Sequence, residues 1–148
     1  MAHGFPATSN GMVADKYTEQ FYDAGFAVLM YDHRNFGMSG GEPRQQINTW
    51  VQARGYRDAI NFATTLPEID PARIALWGDS LSAAQVGVVG AIDERVKAII
   101  AQVPAYGADL PPMDEDGALF TTVQETFLHT DLDGLREKIM GPLPYDYR

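Results

Sequence analysis

Hydrophobic positions in the first hundred residues alternate between two spacings. Apolar side chains at Val13, Tyr17 and Phe21 recur every four positions, and Gly25 then provides a helix stop. The next six residues, 26–31, form the continuous apolar run Phe-Ala-Val-Leu-Met-Tyr. A run of this length is typical of a strand that is buried on both faces. The pattern therefore predicts a helix followed by a buried strand.

The same alternation continues to about residue 102 and predicts a parallel sheet. The further predicted elements are a helix that starts with a capping box at 49–52, a strand at 73–77, a helix from Ser80 to about Ala91, and a strand at 96–102. Strands separated by single helices are joined by right-handed crossovers, which makes the strands parallel. We expect an α/β fold, a three-layer sandwich with a mainly parallel sheet.

The sequence changes in character after Pro104. Residues 109–117 form an acidic segment that contains proline, and apolar spacing over 119–127 and 132–139 predicts two short amphipathic helices. We place a boundary near residue 105, which gives a core at 1–104 and a tail at 105–148. Two interpretations of the tail stay open, an appendage that packs on the core and the start of a lid.

The amino-acid composition excludes several classes of partner and of site. The 148 residues suit one ordinary domain, and 20 acidic against 11 basic residues give a net charge of −9. Such a chain repels phosphate backbones and anionic lipids, so we expect neither nucleic acid nor membrane as a partner. The absence of cysteine excludes disulfides and thiolate metal sites. With no signal-peptide pattern at the N-terminus, the expected location is cytoplasmic.

The stretch from Leu76 to Ala84 carries the most specific chemistry. It reads Leu-Trp-Gly-Asp-Ser-Leu-Ser-Ala-Ala and lies where a predicted strand meets a predicted helix. Ser80 is placed for a sharp turn that exposes its hydroxyl, and the small residues Gly78 and Ser82 allow strand and helix to approach. This pattern makes Ser80 a candidate nucleophile. The alternative is that Ser80 only caps the helix.

The N-terminal His3-Gly4-Phe5 segment offers a second part of such a site. In acyl-transfer enzymes, a backbone N–H from a loop joins the N–H after the nucleophile to hold the developing oxyanion. Here the two donors would be the backbone amides of Phe5 and Leu81.

These motifs together resemble the α/β-hydrolase superfamily. That family has His-Gly, then Asp-x-Arg-x-x-Gly-x-Ser, then the nucleophile turn, and this chain carries the three at His3, at residues 32–39 and at Ser80 in that order. The run 31–44 looks most like the dienelactone-hydrolase and X-Pro-peptidase-like branch. The resemblance implies hydrolysis of a carboxylic ester, or a related acyl transfer, through a serine acyl-enzyme without a cofactor. It also implies that Asp32 and Arg34 form an ion pair that fixes their loop.

The resemblance also implies parts that this chain does not contain. In the family the triad acid and histidine follow later strands, and the chain looks like an internal fragment without them. A serine hydroxyl needs a base, and three histidines are available. His3 and His33 are expected to be structural, whereas His129, beside Asp131 and Asp133, is the candidate general base.

The family's third strand would lie between residues 26–31 and 73–77. Only Met1 and Ala2 precede His3, so the resemblance implies an open slot in the sheet. Unpaired strand edges recruit other chains, and we therefore expect self-association or strand exchange.

Other classes fit less well. Residues 35–40 fail the glycine fingerprint of dinucleotide-binding domains because Asn35 occupies its first glycine position. The histidines are scattered, which argues against a metal site. Two alternatives stay open, a flavodoxin-like binding module that uses Asp32 and Asp79, and a catalytically inactive hydrolase-fold fragment.

Overall fold

The computed structural model describes residues 1–5, 7–11, 14–106 and 113–130. The chain divides into two compact units, Met1–Ala105 and Tyr106–Arg148. The elements in chain order are α1 (Ala14–Asp23), α2 (Thr49–Ala63), β1 (Ile74–Asp79), α3 (Leu81–Ile92), β2 (Val96–Gln102) and α4 (Ala118–His129). Of the described elements, α4 alone belongs to the second unit.

The two strands form the parallel sheet predicted from the sequence. β1 pairs with β2 in parallel, with Leu76 opposite Ile99 and Trp77 opposite Ile100. α3 connects the two strands, as the alternating pattern predicts. The α/β class is thereby confirmed.

Helices pack on both faces of this sheet. α3 packs against both strands, and α2 packs against α3. Gly90 of α3 lies so close to Ile99 that an added Cβ would be 2.8 Å from its Cγ2. Side chains alternate along a strand, so Trp77 faces the other side, where its ring centroid lies 4.9 Å from that of Tyr17 in α1. The sheet is the middle layer of a sandwich.

The predicted strand at 26–31 is wrong, because this segment pairs with no strand among the described residues. The contacts beside it come from the N-terminus: the Tyr31 amide donates to the Met1 carbonyl at 3.4 Å, and the Ala2 amide donates to the Trp77 carbonyl at 3.4 Å. Met1 and Ala2 therefore bridge the segment and β1 at one end. Beyond them lies a cleft of about 370 Å³ bordered by Phe26 and by β1, and the Phe26 side chain is 58% exposed.

Two smaller predictions, the capping box of α2 and the helices of the tail, can be compared with the structure. α2 does begin at Thr49, but its cap is Asn48, whose side chain accepts the Val51 amide at 3.1 Å, so the predicted capping box is wrong. α4 confirms the first tail helix, whereas the second, at 132–139, lies outside the described residues. Among the described helices, none has the length and apolar character needed to cross a membrane.

Candidate active site

Ser80 is the single residue between β1 and α3, and its backbone is strained. Its φ of 54° and ψ of −113° lie in a region that side-chain-bearing residues rarely occupy. Hydrogen bonds hold this conformation, because the Ser80 amide donates to the Gln102 carbonyl at 2.9 Å and its carbonyl accepts the Ala105 amide at 3.1 Å. The strand-to-helix turn predicted at this position is therefore present and strained.

The Ser80 side chain does not serve as a helix cap. Ser80 occupies the cap position of α3, yet its hydroxyl makes no capping hydrogen bond. The interpretation of Ser80 as a mere cap is therefore wrong. The residue is half-buried, which leaves part of it accessible to solvent.

Close backbone approach explains the glycines around Ser80. A Cβ added at Gly78 would lie 2.4 Å from the Ser82 carbonyl oxygen, and one added at Gly4 would lie 2.8 Å from Ser80 Cβ. The His3-Gly4-Phe5 loop thus runs against the turn. The amides of Phe5 and Leu81, predicted as oxyanion donors, follow Gly4 and Ser80 directly in the sequence, and their role stays a prediction.

The two histidines of the first unit bind partners other than Ser80. His33 Nε2 lies 2.7 Å from Ser82 Oγ, and His3 Nδ1 lies 3.1 Å from the Gly4 carbonyl oxygen. His3 Nε2, 3.4 Å from an Asp32 carboxylate oxygen, makes no hydrogen bond among the described residues. Burial lowers the pKa of His33 to about 3, so this ring is neutral at pH 7. Both rings are buried, in keeping with their expected structural role.

The Asp32 carboxylate connects its own loop to the N-terminal segment through backbone amides. It accepts the Ser9 amide at 2.6 Å and the Met38 amide at 2.9 Å. Burial by itself favours the neutral acid, but these hydrogen bonds hold the pKa of Asp32 below its usual value. Among the described residues Arg34 forms no salt bridge with Asp32, so the expected ion pair is wrong.

His129 is the last residue of α4, in the second unit. Its assignment as general base stays a prediction, and its neighbours Asp131 and Asp133 lie outside the described residues. Within the part of the chain that the structure describes, no three His, Asp or Glu side chains cluster so as to hold a metal ion.

Sequence reasoning missed the buried polar cluster behind Ser80. Ser82 contacts His33, and Gln85 donates to the Gln52 side chain at 3.1 Å. One signal was present in the sequence, since Gln85 is a large amide in a helix otherwise made of small and apolar residues. A buried amide of this kind requires a polar partner.

Comparison with known proteins places these features in a family. Thiohydrolase apmlB of Arthrinium phaeospermum is 48% identical over 85 residues, which is 57% of this chain and 28% of that protein. Quorum-quenching protein AidA of Acinetobacter baumannii strain MDR-ZJ06 is 38% identical over 104 residues, 70% of this chain and 34% of that protein. The crystal structure of the α/β-hydrolase GrgF from Penicillium sp. sh18 superposes with a TM-score of 0.68 at 33% identity, over 70% of this chain and 36% of that one.

No family model matches the chain, and the chain spans about a third of the length of these relatives. The solved relative nevertheless superposes over 70% of this chain at 33% identity, so the matched portion has its fold. With relatives and fold in agreement, and with a strained serine between strand and helix, the chain belongs to the α/β-hydrolase superfamily.

Proposed function

We propose that this chain carries the nucleophile of a serine hydrolase that cleaves carboxylic esters of small molecules, or transfers their acyl groups. The observation that carries the proposal is the backbone of Ser80, which is strained, held by hydrogen bonds and not used to cap α3. Such strain persists only where the surrounding structure maintains it, and it is typical of functional sites.

In the proposed reaction, Ser80 Oγ attacks the carbonyl carbon while its proton passes to a base. The amides of Phe5 and Leu81 stabilise the oxyanion, and the contact of Gly4 with Ser80 supports this pairing. The carbon–oxygen or carbon–sulfur bond to the leaving group then breaks, and the leaving group takes a proton. Water or an acceptor alcohol releases the acyl group from Ser80. No cofactor takes part in this scheme.

The base decides how active this chain is by itself. His33 is bonded to Ser82, and His3 Nδ1 lies against the Gly4 carbonyl; His129 stays the candidate base predicted from the sequence. Without a positioned base the hydroxyl attacks slowly, although an oxyanion hole alone can leave roughly 10³–10⁴-fold catalysis over water. We therefore expect weak turnover of activated short-chain esters.

A second candidate is a catalytically inactive fragment of the hydrolase fold. The contacts of His33 with Ser82 and of His3 with the Gly4 carbonyl, rather than with the Ser80 hydroxyl, favour it. The flavodoxin-like alternative loses its support, because the Asp32 carboxylate accepts the backbone amides of Ser9 and Met38.

Labelling with a fluorophosphonate, combined with hydrolysis of matched ester and thioester substrates, separates these functions. We expect labelling in the parent chain and in the control Ser39→Ala, and none in Ser80→Ala. Labelling without any turnover favours the inactive fragment. Robust turnover that is lost in both Ser80→Ala and His129→Ala makes His129 the base, and absence of labelling removes Ser80 from the mechanism.

Self-association is part of the proposal. Apolar side chains are exposed in the segment 26–31 and in β2, with Phe26 at 58% and Ile99 and Ile100 at 45% each. Exposed strand edges tend to pair with other chains. Sedimentation at several concentrations tests this, and a compact monomer at all of them would contradict it. A lid role for the tail, 105–148, and a cytoplasmic location remain predictions from the sequence.

A further inference from the structure

Ser82 is the centre of a buried polar cluster that the proposed reaction does not use. It lies in the first turn of α3, and only 1% of its surface is exposed. Its hydroxyl oxygen lies 2.5 Å from the His3 carbonyl oxygen, 2.7 Å from His33 Nε2 and 3.4 Å from Gln85 Oε1. The two short contacts connect three separate parts of the chain.

The chemistry of these groups fixes the direction of the hydrogen bonds. A hydroxyl carries one proton, and both the His3 carbonyl and Gln85 Oε1 can only accept it. The His3 contact is the shorter, 2.5 Å against 3.4 Å, so Ser82 donates to His3. His33 must then donate its Nε2–H to Ser82, which leaves His33 Nδ1 without a proton. Nδ1 has no hydrogen-bond partner among the described residues. This tautomer leaves a buried acceptor unpaired rather than a buried N–H donor, which is the less costly arrangement.

The hydrogen bond to His3 acts on the loop that faces Ser80. The His3 carbonyl belongs to the peptide that joins His3 to Gly4, and Gly4 packs against Ser80. Ser82 is two residues after the nucleophile on α3, so the bond ties the Gly4-Phe5 loop directly to the nucleophile turn. The glycines only permit the close approach, whereas the Ser82 hydroxyl supplies an attraction with a defined direction.

We propose that Ser82, held by His33, is a positioning residue that fixes the His3-Gly4-Phe5 loop beside Ser80. The effect of this positioning on catalysis rests on the proposed function, because the loop is the predicted source of one oxyanion donor. The Ser82–His33 pair itself does not touch substrate.

Nitrogen-15 NMR of the full chain tests the pair without relying on activity. In the parent chain we expect a neutral His33 ring with its proton on Nε2. Ser82→Ala and His33→Leu should shift the Gly4 and Phe5 amide resonances, and His33→Gln, whose amide can still donate to Ser82, should restore them. The matched control is Ser39→Ala, which removes a serine that donates to the Asp32 carbonyl at 2.6 Å and should leave both amides unchanged.

The rate of Ser80 labelling by a fluorophosphonate gives the catalytic readout. We expect about a tenfold loss in Ser82→Ala, less than the 10²–10³-fold loss that follows removal of an oxyanion donor, and no loss in Ser39→Ala. A proton on His33 Nδ1, or Phe5 resonances that stay unchanged in Ser82→Ala, overturns the proposal. If the parent chain is not labelled at all, the proposed function fails, while the NMR result still decides whether Ser82 positions the loop.

Discussion

The two ends of β1 differ sharply in how they are packed. At the carboxyl end, Gly78 leaves no room for a single carbon atom, since an added Cβ would be 2.4 Å from the Ser82 carbonyl. At the amino end, Ile74 and Ala75 border the cleft of about 370 Å³. One strand thus has a close-packed end and an open end.

The difference lies in which residues make the contacts at each end of the strand. The close-packed end is built from neighbours in the sequence, residues 78–82, joined by the loop at Gly4. At the open end the cleft is bordered by Phe26 on one side and β1 on the other, and among the described residues Met1 and Ala2 are the segment that bridges the two sides. A strained Ser80 can persist only at the end that is fully packed, because strain must be balanced by surrounding contacts.

Adding one methyl group at the close-packed end should have the largest effect on stability. Gly78→Ala places a Cβ against the Ser82 backbone, which cannot move as a flexible side chain does. We expect a loss of about 3 kcal/mol or more in the free energy of unfolding. Gly40→Ala is the matched control, because nothing lies within 4 Å of the added Cβ, and its change should stay within about 0.5 kcal/mol.

Urea unfolding of both variants measures this difference. Equal midpoints for Gly78→Ala and the parent chain would show that strand and helix do not approach closely at the turn that holds Ser80.

Sequence patterns predicted the close-packed end better than the open one, for physical reasons. The small residues Gly78 and Ser82 predict that the strand and the following helix approach closely, and the structure has this contact. The predicted bounds of β2, 96–102, also match the structure. The apolar run at 26–31 indicates that the segment tends to be buried. It does not indicate whether another strand is present to form hydrogen bonds with it. The role of His33 depends on Ser82, 49 residues away, and no local pattern contains that contact.

Acid should destabilise the chain through the buried histidine at the close-packed end. The pKa of His33 falls from 6.5 to about 3 on folding because of burial. Between these values the unfolded chain binds a proton that the folded chain excludes, so stability decreases as the pH falls. The maximum slope for one such group is about 1.4 kcal/mol per pH unit.

Urea midpoints at pH 7, 6 and 5 measure this slope. Burial also lowers the pKa of the Met1 amino group to about 5, and that group acts in the same direction between pH 5 and 8. The histidine contribution is therefore the difference between the parent chain and His33→Gln, which cannot titrate. Parallel pH profiles for the two proteins would show that His33 is not buried in its neutral form.

Adding apolar volume at the open end should have the smallest effect and the opposite sign. Ala63 lies at the end of α2 and lines the cleft, so the extra carbons of Ala63→Leu enter existing space and bury apolar surface. We expect a gain of zero to about 1 kcal/mol in the free energy of unfolding. Ala83→Leu makes the same change on α3, at a position with 0% exposure beside the turn that holds Ser80, and should cost about 1–3 kcal/mol. Thermal midpoints of the two variants compare the ends of the strand directly. A loss in Ala63→Leu as large as that in Ala83→Leu would mean that the cleft is closed in solution, and the contrast between the two ends would disappear.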